Sequence, residues 1–526
     1  MVATSRHGYA AGQQITKRLD VLSNLQSGFF GVSWWFVRVF LVAGGAWAMS
    51  GAQFSSFNYM TGSVDGDLPM TSTQRAHVNT FIMLGAFVGA FVFGSLADAH
   101  GRKFALLISF VLTHSAGALC AVSTSVHVLI LFRLIIGLGL GGQQPILSAL
   151  IMELAPTSIR GQALVYLDAF LPLGTICAVV LSREIEPTIG WRAVSALSTA
   201  ALLYVPLIYY VVPESPKWLA TSGKIEEAVR VLRKIEEASS MFHDEDADDI
   251  IKTLQRSDQT NNSAKHVILQ AHKASFCKLV ANRIRILLRF PYLSRTLMLW
   301  FVWTGLAVSN SAMCAYLDED FIAQVADASG KTVLVYSVLL AQLLGNLSAC
   351  ALIDRIGRRY TLMGFLLIAT GGLLLEMYLE RTTLSMTLSS CCRNFAFMGA
   401  MGCLYTYTPE LYPASIRVIG IGYAWGISRL GAFAGPYAAI WMEDHLHMSI
   451  KEVMWIFCTI TLAVVVVVLA VGIETTHYDV ERATRSSSSL PTTDHETNNG
   501  TTAMLAYQKH EDEDERMSAT QPIHII

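Results

Sequence analysis

Twelve separate stretches of this chain are each mostly apolar for about 20 residues, the length a helix needs to cross roughly 30 Å of hydrocarbon. They lie near 37–59, 76–97, 104–122, 126–153, 161–182 and 191–212, then near 296–317, 331–353, 361–379, 383–410, 416–441 and 452–473. Inside lipid no water serves the backbone, so each run has to satisfy its own N–H and C=O groups as a helix. The expected fold class is therefore an all-α membrane protein of twelve transmembrane helices. Composition agrees, because 53% of the 526 residues are apolar and only 15% are charged, against about a quarter charged in a soluble domain. The formal charge of −2 gives no basic field to recruit nucleic acid, and the expected surroundings are a lipid bilayer.

Orientation follows from Lys and Arg, which gather in cytosolic loops. With the N-terminus inside, 29 of the 38 fall in cytosolic segments and 6 in outer ones. Leaving out the long central loop keeps 15 against 6, so both termini are expected in the cytosol. The first 28 residues are polar, so the first span is expected to direct insertion itself. Cys120, Cys177, Cys350, Cys391, Cys392, Cys403 and Cys458 sit in apolar stretches and read as small packing residues rather than a disulfide framework.

The pattern divides the chain into a cytosolic N-terminal segment (1–36), a six-helix half (37–212), a cytosolic central loop with short helices (213–295), a second six-helix half (296–474) and a disordered cytosolic tail (475–526). The charged run IEEAVRVLRKIEEA at 225–238 predicts a helix within the loop. The two halves are related by sequence. ELAPTSIRGQALVYLDAFLPLG at 153–174 aligns without gaps on ELYPASIRVIGIGYAWGISRLG at 410–431, matching at 9 of 22 positions with an offset of 257. DAHGRK at 98–103 finds DRIGRR at 354–359 at an offset of 256. Two halves with the same polar signature read as parallel repeats about an axis along the membrane normal, an arrangement that places a substrate site between them.

GSLADAHGRK at 94–103 resembles the loop signature of the major facilitator superfamily, and RLIIGLGLGG at 133–142 is similar to its fourth-helix Arg/Gly motif. PESPKWLATSGKIEEA at 213–228 and the pairs Glu153/Arg160 and Glu410/Arg417 resemble the sugar porters. YTPELYPASIRVIGIGYAWGISRLGAFAGPY at 407–437 is closer to the synaptic-vesicle-2-like proteins, organic ion transporters and niacin transporters. The resemblance covers roughly 38–475 and implies a carrier with pseudo-symmetric halves. It further implies that Asp98, Gly101, Arg102 and Lys103, with Asp354, Gly357, Arg358 and Arg359, join Glu153, Arg160, Glu410 and Arg417 in a cytosolic charge network that holds the halves together as a gate.

Residues inside the spans carry the chemistry. Arg133 and Arg393 each cost at least about 2.5–3.5 kcal/mol in the bilayer unless paired or wet, so both should face the bundle interior in an architectural or gating role. Gly137, Gly139, Gly141 and Gly142 beside Arg133 permit close helix approach. Asp168 in the fifth span and Arg429 in the eleventh occupy nearly equivalent repeat positions and are the expected central polar pair: proton acceptor or cation partner, and carboxylate binder. Gln143, Gln144, Trp303, Asn310, Tyr423 and Trp425 offer hydrogen bonds and aromatic faces to an organic solute. The first span carries no acid across 41–60, which weighs against proton coupling there; Asp65 and Asp67 are expected in a solvated outer loop. Glu376, near the outer end of the ninth span, is expected to reach water.

The sequence has no phosphate-binding Gly-x-x-x-x-Gly-Lys-Ser/Thr loop, no His-Glu-x-x-His and no nucleophile elbow, so neither enzyme activity nor a metal or cofactor is expected. The reading is a monomeric secondary transporter of a small organic solute, with or without protons, at the plasma membrane in preference to an internal vesicle. A sugar or polyol porter is the alternative within transport. A sensor or vesicle component that keeps the fold without transporting is the alternative outside it.

Overall fold

A computed structural model of the protein describes residues 33–155, 159–238, 284–289, 292–313, 328–379, 382–412 and 416–475. The N-terminal segment to residue 32, most of the central loop (239–283) and the tail beyond 475 lie outside these residues. Nine described helices are long and apolar enough to cross a membrane. Six stand in the first half: Trp34–Asp67, Ser72–His100, Arg102–Leu119, Val126–Leu154, Arg160–Ile189 and Trp191–Val211. In the second half they are the eighth, ninth and twelfth spans, Ala328–Ile356, Arg358–Tyr378 and Ile450–Val471. Three more polar but equally long helices, Leu293–Met313, Thr383–Glu410 and Arg417–Leu446, stand at the seventh, tenth and eleventh places of the expected twelve.

Local chemistry sets the ends. The second and tenth spans begin with reciprocal capping boxes, Thr71 with Gln74 and Thr382 with Ser385, and the twelfth with Ser449 and Glu452. Gly101 (φ 110°) and Gly357 (φ 99°) take the left-handed backbone that turns each half sharply from its second helix into its third. The fifth span is interrupted at Ala169, where Pro172 supplies no N–H for the Asp168 carbonyl. Between the halves, Pro216–Thr221 and Ile225–Ala238 form a small hairpin. Ala228, Leu232 and Ile235 from the expected 225–238 helix bury against Trp218, Leu219 and Ala220.

The halves meet along two seams, second span on eleventh and fifth on eighth. The repeat maps the second span onto the eighth and the fifth onto the eleventh, so each seam is the image of the other. Within the first half, a Cβ on Gly137 or Gly141 of the fourth span would strike the carbonyls of Ile82 or Ala86. One on Gly85 or Gly89 of the second span would strike those of Leu134 or Leu138. These four glycines let two backbones touch. Gly139 makes the same approach to the third span at Ser109 and Thr113, and Gly142 to the Phe93 ring.

Three sequence expectations change here. The first helix continues to Asp67 rather than ending near 59, because its last acids are engaged and not simply solvated. Asp65 pairs with Arg75 at 2.5 Å, and Asp67 accepts Trp191 Nε1 at 2.9 Å with Arg192 Nε at 3.5 Å. Glu376 does not reach water. Its carboxylate lies 3.2 Å from Arg393 Nε with both side chains buried (0% and 4% exposed), and Ser390 donates to it at 3.3 Å. Arg393 therefore belongs to the outer part of the second half, joining the ninth and tenth spans, and not to the cytosolic clusters.

Two outcomes test this packing. Gly137→Val overfills the glycine seam and should cost about 1–3 kcal/mol, lowering the melting temperature of purified protein by several degrees. Gly94→Val, with open space beyond its Cα, should leave it unchanged. Glu376→Gln strands the Arg393 charge and should destabilise by about 3–5 kcal/mol, whereas replacing both residues by Leu should recover most of that loss. Thermal unfolding in one detergent measures all four.

Candidate functional site

Three layers of polar side chains lie between or beside the halves. At the cytosolic end Arg102 reaches Asp98 (3.1 Å) and Glu153 (3.6 Å), and Arg358 reaches Asp354 (2.9 Å) and Glu410 (3.1 Å). Each cluster has one more acid that the expected network lacked. Glu214 accepts the Arg102 and Lys103 backbone N–H groups (2.8 and 3.2 Å), and Glu474 accepts those of Arg358 and Arg359 (3.0 and 3.1 Å). These carboxylates complement the exposed N–H groups at the starts of the third and ninth helices. Burial pushes the Glu214 carboxyl up, opposed by the Ser215, Arg102 and Lys103 N–H groups. Lys103 lies 4.6 Å from the Tyr209 ring centroid, and Arg359 bonds the Leu469 carbonyl.

These ion pairs of Arg102 and Arg358 stay within their own half, in contrast to the expected cross-half network. The halves are bridged instead by Gln162 Nε2 donating to Asp354 at 2.7 Å and by Thr406 Oγ1 donating to the Gly161 carbonyl at 3.1 Å. Glu153 and Glu410 pair with Arg102 and Arg358, while Arg160 donates to the Ala155 carbonyl at 3.4 Å. The Arg417 side chain lies outside the described residues. A polar cavity of about 170 Å³ opens here between the halves, lined in part by Arg160, Gln162, Asp354, Arg358, Thr406 and Glu410.

At the outer end the second and eleventh spans close through Tyr437, whose hydroxyl is 2.5 Å from His77 Nδ1 and 2.9 Å from Thr80 Oγ1. Phe81 and Phe433 meet edge to face beside it. The fifth and eighth spans close through Arg183 and Thr332 at 3.3 Å, above Val179, Val335 and Leu339.

The middle layer unites the two expected charges. Asp168 is 3% exposed and senses the charge of Arg429 from across the halves, although no ion pair within 4 Å joins them among the described residues. With its nitrogen turned to the two acceptors, the Asn346 amide donates to the Met398 carbonyl (2.9 Å) and to Asp168 Oδ2 (3.3 Å), tying the fifth span to the eighth. Arg429 holds its guanidinium 4.2 Å over the Trp425 ring and makes no hydrogen bond or ion pair among the described residues. Tyr405 lies within electrostatic reach of both charges. Its ring is met edge-on by Trp47 (5.8 Å) and Trp303 (5.2 Å), and Trp303 is fixed by an Nε1 bond to Thr408 at 2.9 Å.

The remaining candidates divide. Tyr423 stacks obliquely on Phe91 of the other half at 4.5 Å. Gln143 is held inside the first half by Ser50, Thr113 (2.6 Å) and the Ser109 carbonyl (3.1 Å), so its amide braces three helices. Gln144 is half-buried, and Asn310 is half-buried with no partner for its side-chain oxygen among the described residues. Sequence reasoning missed Trp47, Asn346 and Tyr405, apolar-run residues with no motif around them. Glu214 and Glu474 were findable, since each follows the last span of its half.

Comparison with known proteins accords with this geometry. The chain is 30% identical over 437 residues to the niacin transporter NiaP of Acinetobacter baylyi, covering 82% of this chain and 93% of that one. It is 26% identical over 448 residues to organic cation/carnitine transporter 7 of Arabidopsis thaliana, covering 80% and 88%. The major facilitator superfamily proton:xylose symporter XylE bound to 6-bromo-6-deoxy-D-glucose superposes with a TM-score of 0.67 at 20% identity, over 84% of this chain and 96% of the other, and so shares the fold. The profile of the sugar (and other) transporter family matches residues 36–485, and the chain belongs to that family.

Proposed function

We propose that the protein carries a small organic anion, a carboxylate on a flat apolar body, across the membrane by alternating access. The observation that carries this reading is Arg429: a fixed cation in mid-membrane, stacked on Trp425 and without a hydrogen-bonding partner among the described residues. A guanidinium so placed presents its fork to a carboxylate in a weakly screened setting, and Trp47, Trp303, Tyr405 and Trp425 offer faces and edges to a ring. The name of the niacin transporter among the relatives points the same way. A sugar fits less well, because Gln143, the best hydroxyl partner in the first half, is already engaged.

Asp168 supplies the coupling in this reading. When a substrate carboxylate takes the charge of Arg429, Asp168 loses the cation that balances it and takes a proton, so anion and proton cross together. The distribution of basic residues supports cytosolic termini, and the chain works as a monomer in the plasma membrane. The two end layers act as gates, opened in turn.

Labelled nicotinate in proteoliposomes tests the site. Arg429→Gln should lower kcat/KM at least tenfold. Asp168→Asn should abolish accumulation driven by a proton gradient while leaving exchange of labelled for unlabelled solute. Wild-type uptake by Arg429→Gln would overturn the reading. The cytosolic gate gives a separate outcome: Gln162→Ala combined with Thr406→Val should raise, severalfold, the rate at which a cysteine placed at Leu164 reacts with a polar reagent from the cytosolic side.

A further inference from the structure

The two halves treat one buried arginine differently. In the second half Arg393 of the tenth span is neutralised by Glu376 of the ninth. In the first half Arg133 of the fourth span is 0% exposed; it stands one helical turn from Gly137, the residue 256 positions before Arg393, and the residue 256 positions before Glu376 is Cys120. Cys120 is buried and within electrostatic reach of the Arg133 guanidinium. No carboxylate among the described residues acts on Arg133.

What Arg133 has instead accounts for only part of its fork. Nε donates to the Val78 carbonyl at 3.0 Å, and the guanidinium carbon lies 4.8 Å from the centre of the Phe57 ring. Nη1 and Nη2, with four N–H donors between them, have no partner among the described residues. Two acids at the outer end of the first half are engaged elsewhere: Asp65 by Arg75, and Asp67 by Trp191 and Arg192. Arg192 also takes the Ala121 and Ser123 carbonyls, at 2.9 and 2.8 Å, at the end of the third span. The first span adds no carboxylate within the membrane.

We propose that Arg133 holds a small monovalent inorganic anion of the halide class, which reaches it from the outer side and neutralises it as Glu376 neutralises Arg393. The site lies on the outer side of the first half, two turns into the fourth span, apart from Asp168 and Arg429. Buried guanidinium donors require a negative partner, and a ligand that binds only the folded state raises its stability in proportion to the logarithm of its concentration over Kd. The carrier is thereby stabilised by chloride independently of its organic solute.

The experiment is thermal unfolding of the purified full-length protein without organic solute, at constant ionic strength, exchanging gluconate for chloride or bromide. The parent should melt several degrees higher in either halide, with a saturating dependence, whereas the general effect of a salt on solvent exclusion rises without saturation. Cys120→Glu installs the missing carboxylate and should melt at the same temperature in chloride and gluconate. Arg133→Met should likewise lose the response, while Arg429→Gln should keep it. Equal melting of the parent in chloride, bromide and gluconate overturns the proposal, as does a halide response that survives in Arg133→Met. Should both Arg133 and Cys120 variants fail to fold, the parent titration alone decides.

Discussion

A fixed charge inside a bilayer has to be compensated by something the protein itself brings, and the way each buried arginine meets that demand separates frame from mechanism. Arg102 and Arg358 each face two acids at the cytosolic surface and a third from the end of the half. Arg393 has one buried carboxylate and a serine beside it. Among the described residues Arg133 has a carbonyl and an aromatic face, and Arg429 has an aromatic face with Asp168 only within electrostatic reach. Compensation is thus fullest at the cytosolic surface and least at the centre. The fully paired arginines are bolts within one half. The least paired one lies between the halves, where a mobile ligand can complete it.

The repeat is kept most strictly where it does mechanical work. Glycine turns, the two acids on each cytosolic arginine and the carboxylate behind each third helix recur in both halves, and the seams between halves are images of one another. Symmetry fails where one thing must happen once. Asp168 has Trp425 as its repeat partner, and Arg429 has Pro172. That Pro172 also interrupts the fifth helix beside Asp168, so one departure from the repeat produces both a charged site and a break next to it.

Much of this was legible in the sequence because membrane insertion imposes a one-dimensional code. Apolar run length gives the spans, basic residues suggest their orientation, and the offset of 256–257 gives the halves. Asp168 and Arg429 could be singled out because charge inside an apolar run is rare. The aromatic and amide groups around them could not, since Trp47, Asn346 and Tyr405 look like any span residue until helices are set side by side. Reading outward position as exposure failed for the same reason. Glu376 and Asp65 sit near helix ends where water is close in sequence terms, but Arg393 and Arg75 on neighbouring helices claim them first.

The contacts that join the halves at the two ends, proposed above as gates, are slight. The cytosolic one rests on Gln162 with Asp354 and Thr406 with Gly161, the outer one on Tyr437 with His77 and Thr80, with aromatic edges beside it. A hydrogen bond contributes a net of about 0.5–1.5 kcal/mol, because water replaces the lost partner when the gate opens. Two such bonds make a latch that thermal motion can release at either end. Joining the halves with full ion pairs such as those of Arg102 and Arg358 would raise that barrier, and here those pairs stay within single halves. In the alternating-access cycle proposed above, the balance between opening inward and outward is then small enough for the charge at the centre to decide it. In the reading proposed above, a ligand on Arg429 changes the electrostatics of Asp168, which is tied through Asn346 to the opposite half, so filling the site acts on the seam of fifth and eighth spans that the Gln162–Asp354 contact also crosses.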